Sequence, residues 1–392
     1  MRVHPDRFVR NGALYGAHLC CNTTVKTILS VLLLAASATQ GAELLAFSGS
    51  KAGGGSKGIY AFRFNTVTGE LKPAGLAAET PIPSFLTVDA AGKVLYAVNE
   101  VAQGAVSAFS IDRAAARLTL INQVSSKGGG TAHLALDATG RWLAVANYGT
   151  GSTAILPVGE GGRLGEAVSF QQHHGSGVNH ERQTGPHAHE VVFSPDNRFL
   201  LVPDLGLDQI LVYRFDAAKG AIAPNDPPFG VVAPGSGPRH LVFHPNGKIV
   251  YVLNEMTSTV TAFRYDAAKG ALQDFQTLSA LPAHFTQPTN AAEIVINAAG
   301  TALYTSNRGH DSIAMFAIEP ERFRLVEPEL TPTLGKTPRH IALDPDGRFL
   351  LVSNQDSDNI AVFRVHSRSA ELTPTRYLPV EQPRPVCLVF VK

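Results

Sequence analysis

The sequence predicts an all-β fold, a seven-bladed β-propeller with four-stranded antiparallel blades, one of them closed by strands from the N- and C-termini. Two observations carry this prediction. One pattern of short apolar strands and tight turns recurs with a period near 50 residues, and the two chain ends each hold a part of that pattern that the other lacks. A period of this length made only of short strands is typical of propeller blades.

The repeat is clearest in two copies, P-R-H-L-V-F-H-P-N-G-K-I-V-Y-V-L-N-E (Pro238–Glu255) and P-R-H-I-A-L-D-P-D-G-R-F-L-L-V-S-N-Q (Pro338–Gln355). Each copy has an apolar run, a turn with Gly or Asn, a second apolar run and a closing Asn. Six such copies close on an Asn or Asp at spacings of 48, 57, 50, 53 and 47 residues: Asn99, Asn147, Asp204, Asn254, Asn307 and Asn354. Each copy therefore supplies the first two strands of a blade.

A third strand follows each pair of apolar runs, and a turn such as Thr68-Gly69-Glu70 then leads into a weaker fourth strand. Seven third strands are predicted: 59–64, 106–111, 152–157, 210–215, 260–265, 313–318 and 360–365. Seven third strands indicate seven blades of four antiparallel strands each.

The chain ends complete the seventh blade. Leu44–Ser48 has the pattern of a second strand with no first strand before it, and Pro385–Val391 has that of a first strand with no second strand after it. Joining them fastens the ring and covers two sheet edges that would otherwise be open to pairing with other chains. Residues 43–392 are therefore predicted to form one propeller domain.

Residues 1–42 are predicted to be a leader that directs export to the periplasm or outside the cell. Lys26 precedes the apolar run Ile28–Ala36, and Ala36-Ser37-Ala38 has the small-x-small pattern of a signal-peptidase site. Cleavage after Ala42 is an alternative to cleavage after Ala38. The alternative to a leader is that the apolar run forms a buried N-terminal helix of the folded protein. Because residues 1–24 make an unusually long polar start, we hypothesise that translation begins at Val25.

Composition narrows the possible partners. The formal net charge is +1 and no run of Lys or Arg occurs, so a nucleic acid partner is not expected. With the leader removed, nothing predicts membrane attachment. Cys387 would remain as a lone cysteine in an apolar run, which indicates a core residue and excludes an intramolecular disulfide.

Four polar residues are predicted to meet at one mouth of the central channel: His189, Arg239, Glu255 and Arg308. In an antiparallel meander the start of the first strand and the end of the second lie on the same rim, and these residues occupy those positions in consecutive blades. Two guanidinium groups suit a carboxylate or a polarised carbonyl, and Glu255 or His189 suits a general base. The alternative is that Arg239 and Glu255 form only a structural ion pair within one blade.

Further residues near this rim are candidates for substrate binding: His187, Asn254, Asn307 and Arg339. The P-H-A-H spacing of His187 and His189 also suits a metal, but few Asp or Cys residues accompany it, so neither a metal nor another cofactor is expected. His240 and His340 are interpreted as anchors of the repeat. The polar loop 171–186 leads directly to His187. It is predicted either to cover the rim or to be a solvated insertion, with His173, His174 and His180 exposed to solvent.

At these residues the sequence resembles the propeller lactonases, a family that includes propeller-type 6-phosphogluconolactonases and the 3-carboxy-cis,cis-muconate lactonising enzyme. The resemblance covers nearly the whole predicted mature chain. It rests on the motifs E-R-Q-T-G-P-H-A-H-E-V-V-F-S-P-D (Glu181–Asp196), V-P-D-L-G-L-D-Q-I (Val202–Ile210), G-P-R-H-L-V-F-H-P-N-G (Gly237–Gly247), N-E (Asn254–Glu255) and S-N-R-G-H-D-S-I (Ser306–Ile313). It implies a seven-bladed fold, metal-free lactone chemistry, and catalytic roles for His189, Arg239, Glu255 and Arg308, with His187 as a substitute for His189.

Three functions remain open at this point. The first is a 6-phosphogluconolactonase-like hydrolase that opens a sugar lactone or a carboxylated lactone. The second is a muconate-type cycloisomerase that closes or opens a lactone by proton transfer, and the third is a propeller that binds a ligand without catalysis. The predicted leader separates this chain from a cytoplasmic sugar-phosphate enzyme, and no helix N-terminus or Gly-rich phosphate loop is evident. The run Lys51–Lys57 is interpreted as a flexible connection between strands.

Overall fold

The computed structural model describes Glu43–Lys392, and the predicted leader lies outside the described residues. In this part of the chain, 29 strands form seven antiparallel sheets around a central channel, which confirms the seven-bladed propeller. No helix in these residues is long and apolar enough to cross a membrane.

Each blade has four strands in consecutive order from the channel outward, except that blade 1 begins with the last strand of the chain. Blade 1 contains β29 (Pro385–Val391), β1 (Glu43–Ser50), β2 (Gly58–Asn65) and β3 (Leu71–Glu79); blade 2 contains β4 (Leu86–Val88), β5 (Val94–Asn99), β6 (Ala105–Asp112) and β7 (Arg117–Ser125). Blade 3 contains β8 (Thr131–Leu136), β9 (Trp142–Asn147), β10 (Ser152–Pro157) and β11 (Ser169–Gln172); blade 4 contains β12 (Val192–Phe193), β13 (Phe199–Asp204), β14 (Gln209–Asp216) and β15 (Ala221–Val231).

The remaining three blades follow the same order. Blade 5 contains β16 (Pro238–Phe243), β17 (Ile249–Asn254), β18 (Thr259–Asp266) and β19 (Ala271–Ser279); blade 6 contains β20 (Asn290–Ile296), β21 (Ala302–Arg308), β22 (Ser312–Ala317) and β23 (Glu329–Pro332). Blade 7 contains β24 (Pro338–Leu343), β25 (Phe349–Asn354), β26 (Asn359–Val365) and β27 (Leu372–Pro374), with β28 (Val380–Glu381) also on β26. Two short 3₁₀ helices cover Glu160–Gly162 and Gln355–Ser357.

Blade 1 is the predicted composite of the two chain ends. Its innermost strand β29 pairs antiparallel with β1, with Leu45 opposite Val391 and Gly49 opposite Cys387. Cys387 is a buried free thiol, as expected for a core residue. The closure therefore joins residues more than 300 positions apart in sequence through main-chain hydrogen bonds.

The hydrophobic core lies between neighbouring blades. Alternating side chains on the middle strands of each sheet face the next sheet, so that, for example, Val212 of blade 4 packs in one cluster with Val250 and Phe263 of blade 5. The second strand of each of these blades thus buries both of its faces, which explains why β5, β13, β17 and β25 are almost continuously apolar.

The innermost strands carry a β-bulge beside the channel mouth. Pro238 lies opposite Asn254, but His240 lies opposite Leu253, so the register shifts by one residue between them. The same shift follows Pro338 in blade 7 and Thr131 in blade 3. A bulge of this kind re-aims side chains and is frequent next to active sites.

Candidate active site

A cavity of about 300 Å³ opens at one mouth of the channel. Apart from Arg182 of loop 171–186, its walls come from two positions of the repeat, one at the start of the first strand and one at or just after the end of the second strand. Ten residues line it: Lys51, Glu100, Ala132, Tyr148, Arg182, His189, Glu255, Asn290, Arg308 and Arg339. Three of the four predicted catalytic residues therefore face one cavity, and the fourth, Arg239, lies directly behind Glu255.

Glu255 is the centre of a buried ion cluster. Its Oε2 lies 3.0 Å from both Arg239 Nε and Arg308 Nη2, and its Oε1 accepts a 2.8 Å hydrogen bond from Arg182 Nη2. Burial alone would raise the pKa of Glu255, but the charges of Arg308 and Arg239 and the contact with Arg182 outweigh it and lower this pKa to about 2. The carboxylate is therefore ionised, and both of its oxygens are engaged.

The two inner guanidinium groups are also held by the main chain of blade 6. Arg308 donates from Nε to the Asn290 carbonyl at 3.2 Å and from Nη2 to the Ala291 carbonyl at 2.9 Å. Arg239 Nη1 donates to the Ala292 carbonyl. Burial, followed by the charges of Arg308 and Arg339, lowers the pKa of Arg239 to about 9, which leaves it cationic at neutral pH. Both cations are thus fixed in place before any substrate binds.

His189 lies on the cavity wall as a neutral imidazole. Burial and then the charge of Arg239 hold the pKa of His189 well below its usual range, and its Nδ1 has no hydrogen-bond partner among residues 43–392. The ring of Tyr148 stands edge-on to it at 5.3 Å between centroids. His189 precedes β12, but the His189 N–H still bonds to the Pro203 carbonyl at 3.0 Å, so it keeps its predicted place beside the second strand.

His187 lies behind Tyr148. Its ring stacks on that of Tyr148 at 4.6 Å, and its Nδ1 donates to the Tyr148 carbonyl at 2.9 Å. His187 is not among the cavity-lining residues. In the structure it supports the aromatic wall beside His189.

A second charged group faces Glu255 from the other side of the cavity. Lys51 forms an ion pair with Glu100. Burial would raise the pKa of Glu100, but the charges of Lys51 and Arg339 lower it. The side chain of Arg339 has no hydrogen bond or ion pair with other residues of the described part of the chain, 43–392. Four cationic side chains therefore line the cavity against two carboxylates, and such an excess favours an anionic ligand.

Asn254 and Asn307, two predicted substrate-binding residues, lie inside their blades. Asn254 donates from Nδ2 to the hydroxyls of Thr259 and Thr261 at 2.9 and 3.0 Å, and Asn307 donates to the Ala280 carbonyl at 2.8 Å. Both are fully buried and neither lines the cavity. They fix the turn after the second strand, which carries Glu255 in one blade and Arg308 in the next.

Loop 171–186 brings Arg182 to the rim. His173 anchors its start through a 2.6 Å contact between its Nδ1 and Asp204 Oδ2, and Gln183 donates to the Leu205 carbonyl at 2.8 Å. His173 is buried, so the prediction that it is exposed to solvent is wrong: Asp204, 31 residues later in sequence, gives it a partner inside the protein. The loop therefore contributes a side chain to the cavity.

Six cavity residues were not predicted as site residues, among them four with charged or aromatic side chains: Lys51, Glu100, Tyr148 and Arg182. Three of them follow a second strand and so occupy the repeat position of Glu255 and Arg308, which is the signal that identifies them. Glu100 even repeats the N-E pair of Asn254–Glu255. Arg182 lies outside the repeat, within the loop that was predicted either to cover the rim or to be solvated.

The family model and the similar proteins all indicate the same protein family. Residues 45–390 match the family model described as "Lactonase, 7-bladed beta-propeller". The chain is 33% identical to a 6-phosphogluconolactonase of Bacillus subtilis, over 89% of this chain and 99% of that protein. It is 36% identical to a 6-phosphogluconolactonase of Formosa agariphila, over 83% and 92% of the two chains.

Two solved structures have the same architecture. A putative 6-phosphogluconolactonase from Bacteroides fragilis superposes with a TM-score of 0.84 at 37% identity, covering 90% of this chain and 99% of that one. A periplasmic gluconolactonase from Pseudomonas aeruginosa superposes with a TM-score of 0.85 at 35% identity, covering 89% and 99%. This chain therefore belongs to the family of seven-bladed β-propeller lactonases.

Proposed function

We propose that this protein hydrolyses a sugar lactone, as a carboxylic-ester hydrolase, with His189 as the general base. The observation that carries the proposal is a neutral, buried imidazole on the wall of a cavity that also contains fixed guanidinium groups. A base that is unprotonated at neutral pH and cations that await a developing negative charge are the two requirements of ester hydrolysis. The family and the names of its members support the same reaction.

The proposed reaction balances with these groups alone. His189 takes a proton from water as the water oxygen bonds to the lactone carbonyl carbon, and the carbonyl oxygen becomes an oxyanion. Arg308 faces this oxyanion with Nη1, the guanidinium nitrogen that none of the described contacts uses, and Arg239 adds its charge from behind. The ring C–O bond then breaks, and the leaving alkoxide takes the proton back from His189, giving a hydroxy acid.

Glu255 is proposed to hold the arginines and not to move protons. A carboxylate with a pKa of about 2 is a weak base, and three guanidinium groups occupy its oxygens. The Arg239–Glu255 ion pair within blade 5 is extended by Arg308 and Arg182. Glu255 therefore holds these three guanidinium groups in position around the cavity. Asn254, Asn307 and His187 do not line the cavity. They are proposed to act indirectly, Asn254 by positioning Glu255, Asn307 by positioning Arg308 and His187 by positioning Tyr148.

The substrate is proposed to carry a negative charge away from its lactone ring. Arg339 is a cation on the cavity wall without an ion-pair partner in residues 43–392, and Lys51 lies beside Glu100 on the same side. A phosphate or carboxylate substituent on the substrate would supply the missing partner. Two relatives are named 6-phosphogluconolactonases, and their names make a phosphorylated sugar lactone one such substrate, beside a carboxylated lactone.

Initial rates of acid release test both statements. We expect 6-phosphoglucono-1,5-lactone to have a kcat/KM at least about tenfold above that of glucono-1,5-lactone, since a paired charge is worth about 1.4 kcal/mol or more here. Arg339→Met should remove this preference, whereas Lys57→Met, a cation outside the cavity, should keep it. If folded protein accelerates no lactone above buffer, the hydrolase proposal fails. Deuterium entering a carbon-bound position from solvent would identify the cycloisomerase.

We also propose that residues 1–42 direct export and that the protein acts in the periplasm or outside the cell. The apolar run 28–36 followed by Ala36-Ser37-Ala38 supports this, and the structural neighbour from Pseudomonas aeruginosa is a periplasmic gluconolactonase. Mass spectrometry of the native protein should find an N-terminus near Thr39 or Glu43. Soluble cytosolic protein that retains residues 28–36 would contradict export.

A further inference from the structure

One position of the innermost strand forms a second layer in the channel, one residue deeper than the layer that holds His189, Arg239 and Arg339. At this position five consecutive blades, 3 to 7, carry ionisable side chains that alternate between imidazole and carboxylate: His133, Glu190, His240, Glu293 and His340. All five are buried. Phe85 of blade 2 packs against three of these imidazoles, and Cys387 of blade 1 lies 3.8 Å from His340 Nε2.

The five side chains form two groups of contacts around the channel, His133 with Glu190 and Glu293 with both His240 and His340. His133 Nε2 lies 3.6 Å from Glu190 Oε1, His240 Nδ1 lies 2.8 Å from Glu293 Oε1, and His340 Nε2 lies 3.6 Å from Glu293 Oε2. Glu190 Oε2 accepts the Leu241 N–H at 2.6 Å. We call this set the channel arc. Buried carboxylates are costly unless they are paired, and nothing in the proposed reaction so far uses them.

Main-chain contacts fix the outer imidazoles of the arc. His133 Nδ1 accepts the Val191 N–H at 3.4 Å and His340 Nδ1 accepts the Leu388 N–H at 3.3 Å. Their ring protons therefore lie on Nε2, toward the carboxylates. His240 differs, because its Nδ1 faces Glu293 and its buried Nε2 has no hydrogen-bond partner among the described residues.

His240 is also the member of the arc that reaches the proposed base. The centroids of the His189 and His240 rings lie 5.1 Å apart with the rings at 69°, and His189 Nδ1, like His240 Nε2, is a buried nitrogen without a hydrogen-bond partner among the described residues. Two such atoms on neighbouring rings are the setting in which an ordered water bridges buried polar groups. With that water, the donors and acceptors are consistent: His189 Nδ1–H to water, water to His240 Nε2, and His240 Nδ1–H to Glu293 Oε1.

Proton uptake by His189 would place a positive charge close to other cations, and the route through His240 to Glu293 moves that charge away from them. An imidazolium at His189 would lie near Arg239, Arg308 and Arg339, which all disfavour it. Transfer of the proton from His189 to His240, one layer deeper, places the positive charge beside the carboxylate of Glu293. His240 is faced by Arg239, Arg339, Arg308 and Glu255 as well as by its own partner. Burial raises the pKa of Glu293, which makes it a better proton acceptor than an exposed carboxylate.

We propose that His240 and Glu293 are positioning residues that accept, through a bridging water, the proton taken up at His189 and return it for release of the leaving alkoxide. In the forward step, water gives a proton to His189 Nε2, the Nδ1 proton passes through the bridging water to His240 Nε2, and the His240 Nδ1 proton moves to Glu293. The reverse movement restores the starting state as the ring C–O bond breaks. This inference rests on the proposed function in which His189 is the base.

Glu293→Gln and Glu190→Gln form a matched pair of variants. Both residues occupy the same repeat position, both are 6% exposed, and both substitutions keep the side-chain shape, but only Glu293 contacts His240 through its side chain. For Glu293→Gln we expect kcat to fall about 10- to 100-fold with KM within about twofold of wild type. The acidic limb of the kcat–pH profile should move to lower pH, because the imidazolium loses its anionic support. Glu190→Gln should keep the wild-type profile.

A proton inventory in mixtures of light and heavy water adds a measurement that needs no variant. Wild-type kcat should depend on the deuterium fraction with upward or downward curvature, since more than one proton moves, and His240→Gln should straighten the plot. A linear wild-type plot, or equal profiles for Glu293→Gln and Glu190→Gln, would overturn the relay. If His189→Gln retains full activity, the proposed base itself is wrong; if it is inactive while the glutamate pair behaves alike, only the relay fails.

Discussion

Glu255→Gln removes the carboxylate that Arg239, Arg308 and Arg182 share while leaving the shape of the side chain unchanged. The ion cluster lowers the pKa of Glu255 from its ordinary 4.5 to about 2, and each pKa unit corresponds to about 1.4 kcal/mol. The cluster therefore stabilises the folded state by about 3 kcal/mol at neutral pH, in line with the cost of removing one partner from a buried ion pair. For a chain of this size, that is a fall in Tm of about 4 °C.

The stabilisation by the Glu255 ion cluster depends on pH. Because the folded-state pKa is depressed, the stabilisation is fully present above about pH 4.5 and is lost as the pH falls toward 2. The Tm of wild type should therefore drop toward that of Glu255→Gln over this range, and the two should differ most above it. Activity of the variant should fall through KM and kcat together, since Arg239 and Arg308 lose their fixed positions.

Melting curves and kinetics on the same preparations decide between an anchor and a base. Glu166→Gln is the control, because Glu166 forms an ion pair of the same 2.8 Å length with Lys127 at the exposed surface, where such pairs contribute little. It should leave Tm and kcat unchanged. If Glu255→Gln keeps the wild-type Tm and KM but loses about 10²- to 10⁴-fold in kcat, Glu255 is the general base and the assignment of His189 is wrong.

Two further predictions follow from the rim and from the closure of the ring. Arg182→Met should raise KM several-fold, because Glu255 Oε1 loses its donor, but should change Tm little, since Arg182 is partly exposed; an unchanged KM would exclude loop 171–186 from the site. Deleting residues 384–392 removes β29 from the composite blade and opens the edge of β1, so we expect aggregated or unfolded protein by gel filtration and circular dichroism. A truncated protein that melts like wild type would contradict the closure.

The sequence predicted the fold well because every blade repeats the same local information. Alternating apolar runs, Gly or Asn turns and a fixed spacing specify each sheet without reference to distant residues. The candidate site depends on contacts between blades, which no local pattern encodes. Asn254 and Glu255 are neighbours in sequence, yet one turns into its blade and the other into the cavity. His173 has the surroundings of a solvated loop residue until Asp204 folds against it.

The β-bulge explains why the channel holds two layers of charged and polar side chains. In a regular strand Arg239 and His240 would point to opposite faces, and only one of them would reach the channel. The register shift between Pro238 and His240 lets both Arg239 and His240 reach the channel. Arg239 lies at the level of Glu255, and His240 lies one layer deeper, beside Glu293. Because the same shift recurs in blade 7 at Arg339 and His340, cations collect at the mouth while imidazoles and carboxylates collect beneath them. One backbone irregularity, repeated in blades 3, 5 and 7, therefore brings the imidazoles and carboxylates of the inner layer next to the cations at the mouth, which is the juxtaposition on which the proposed proton relay depends.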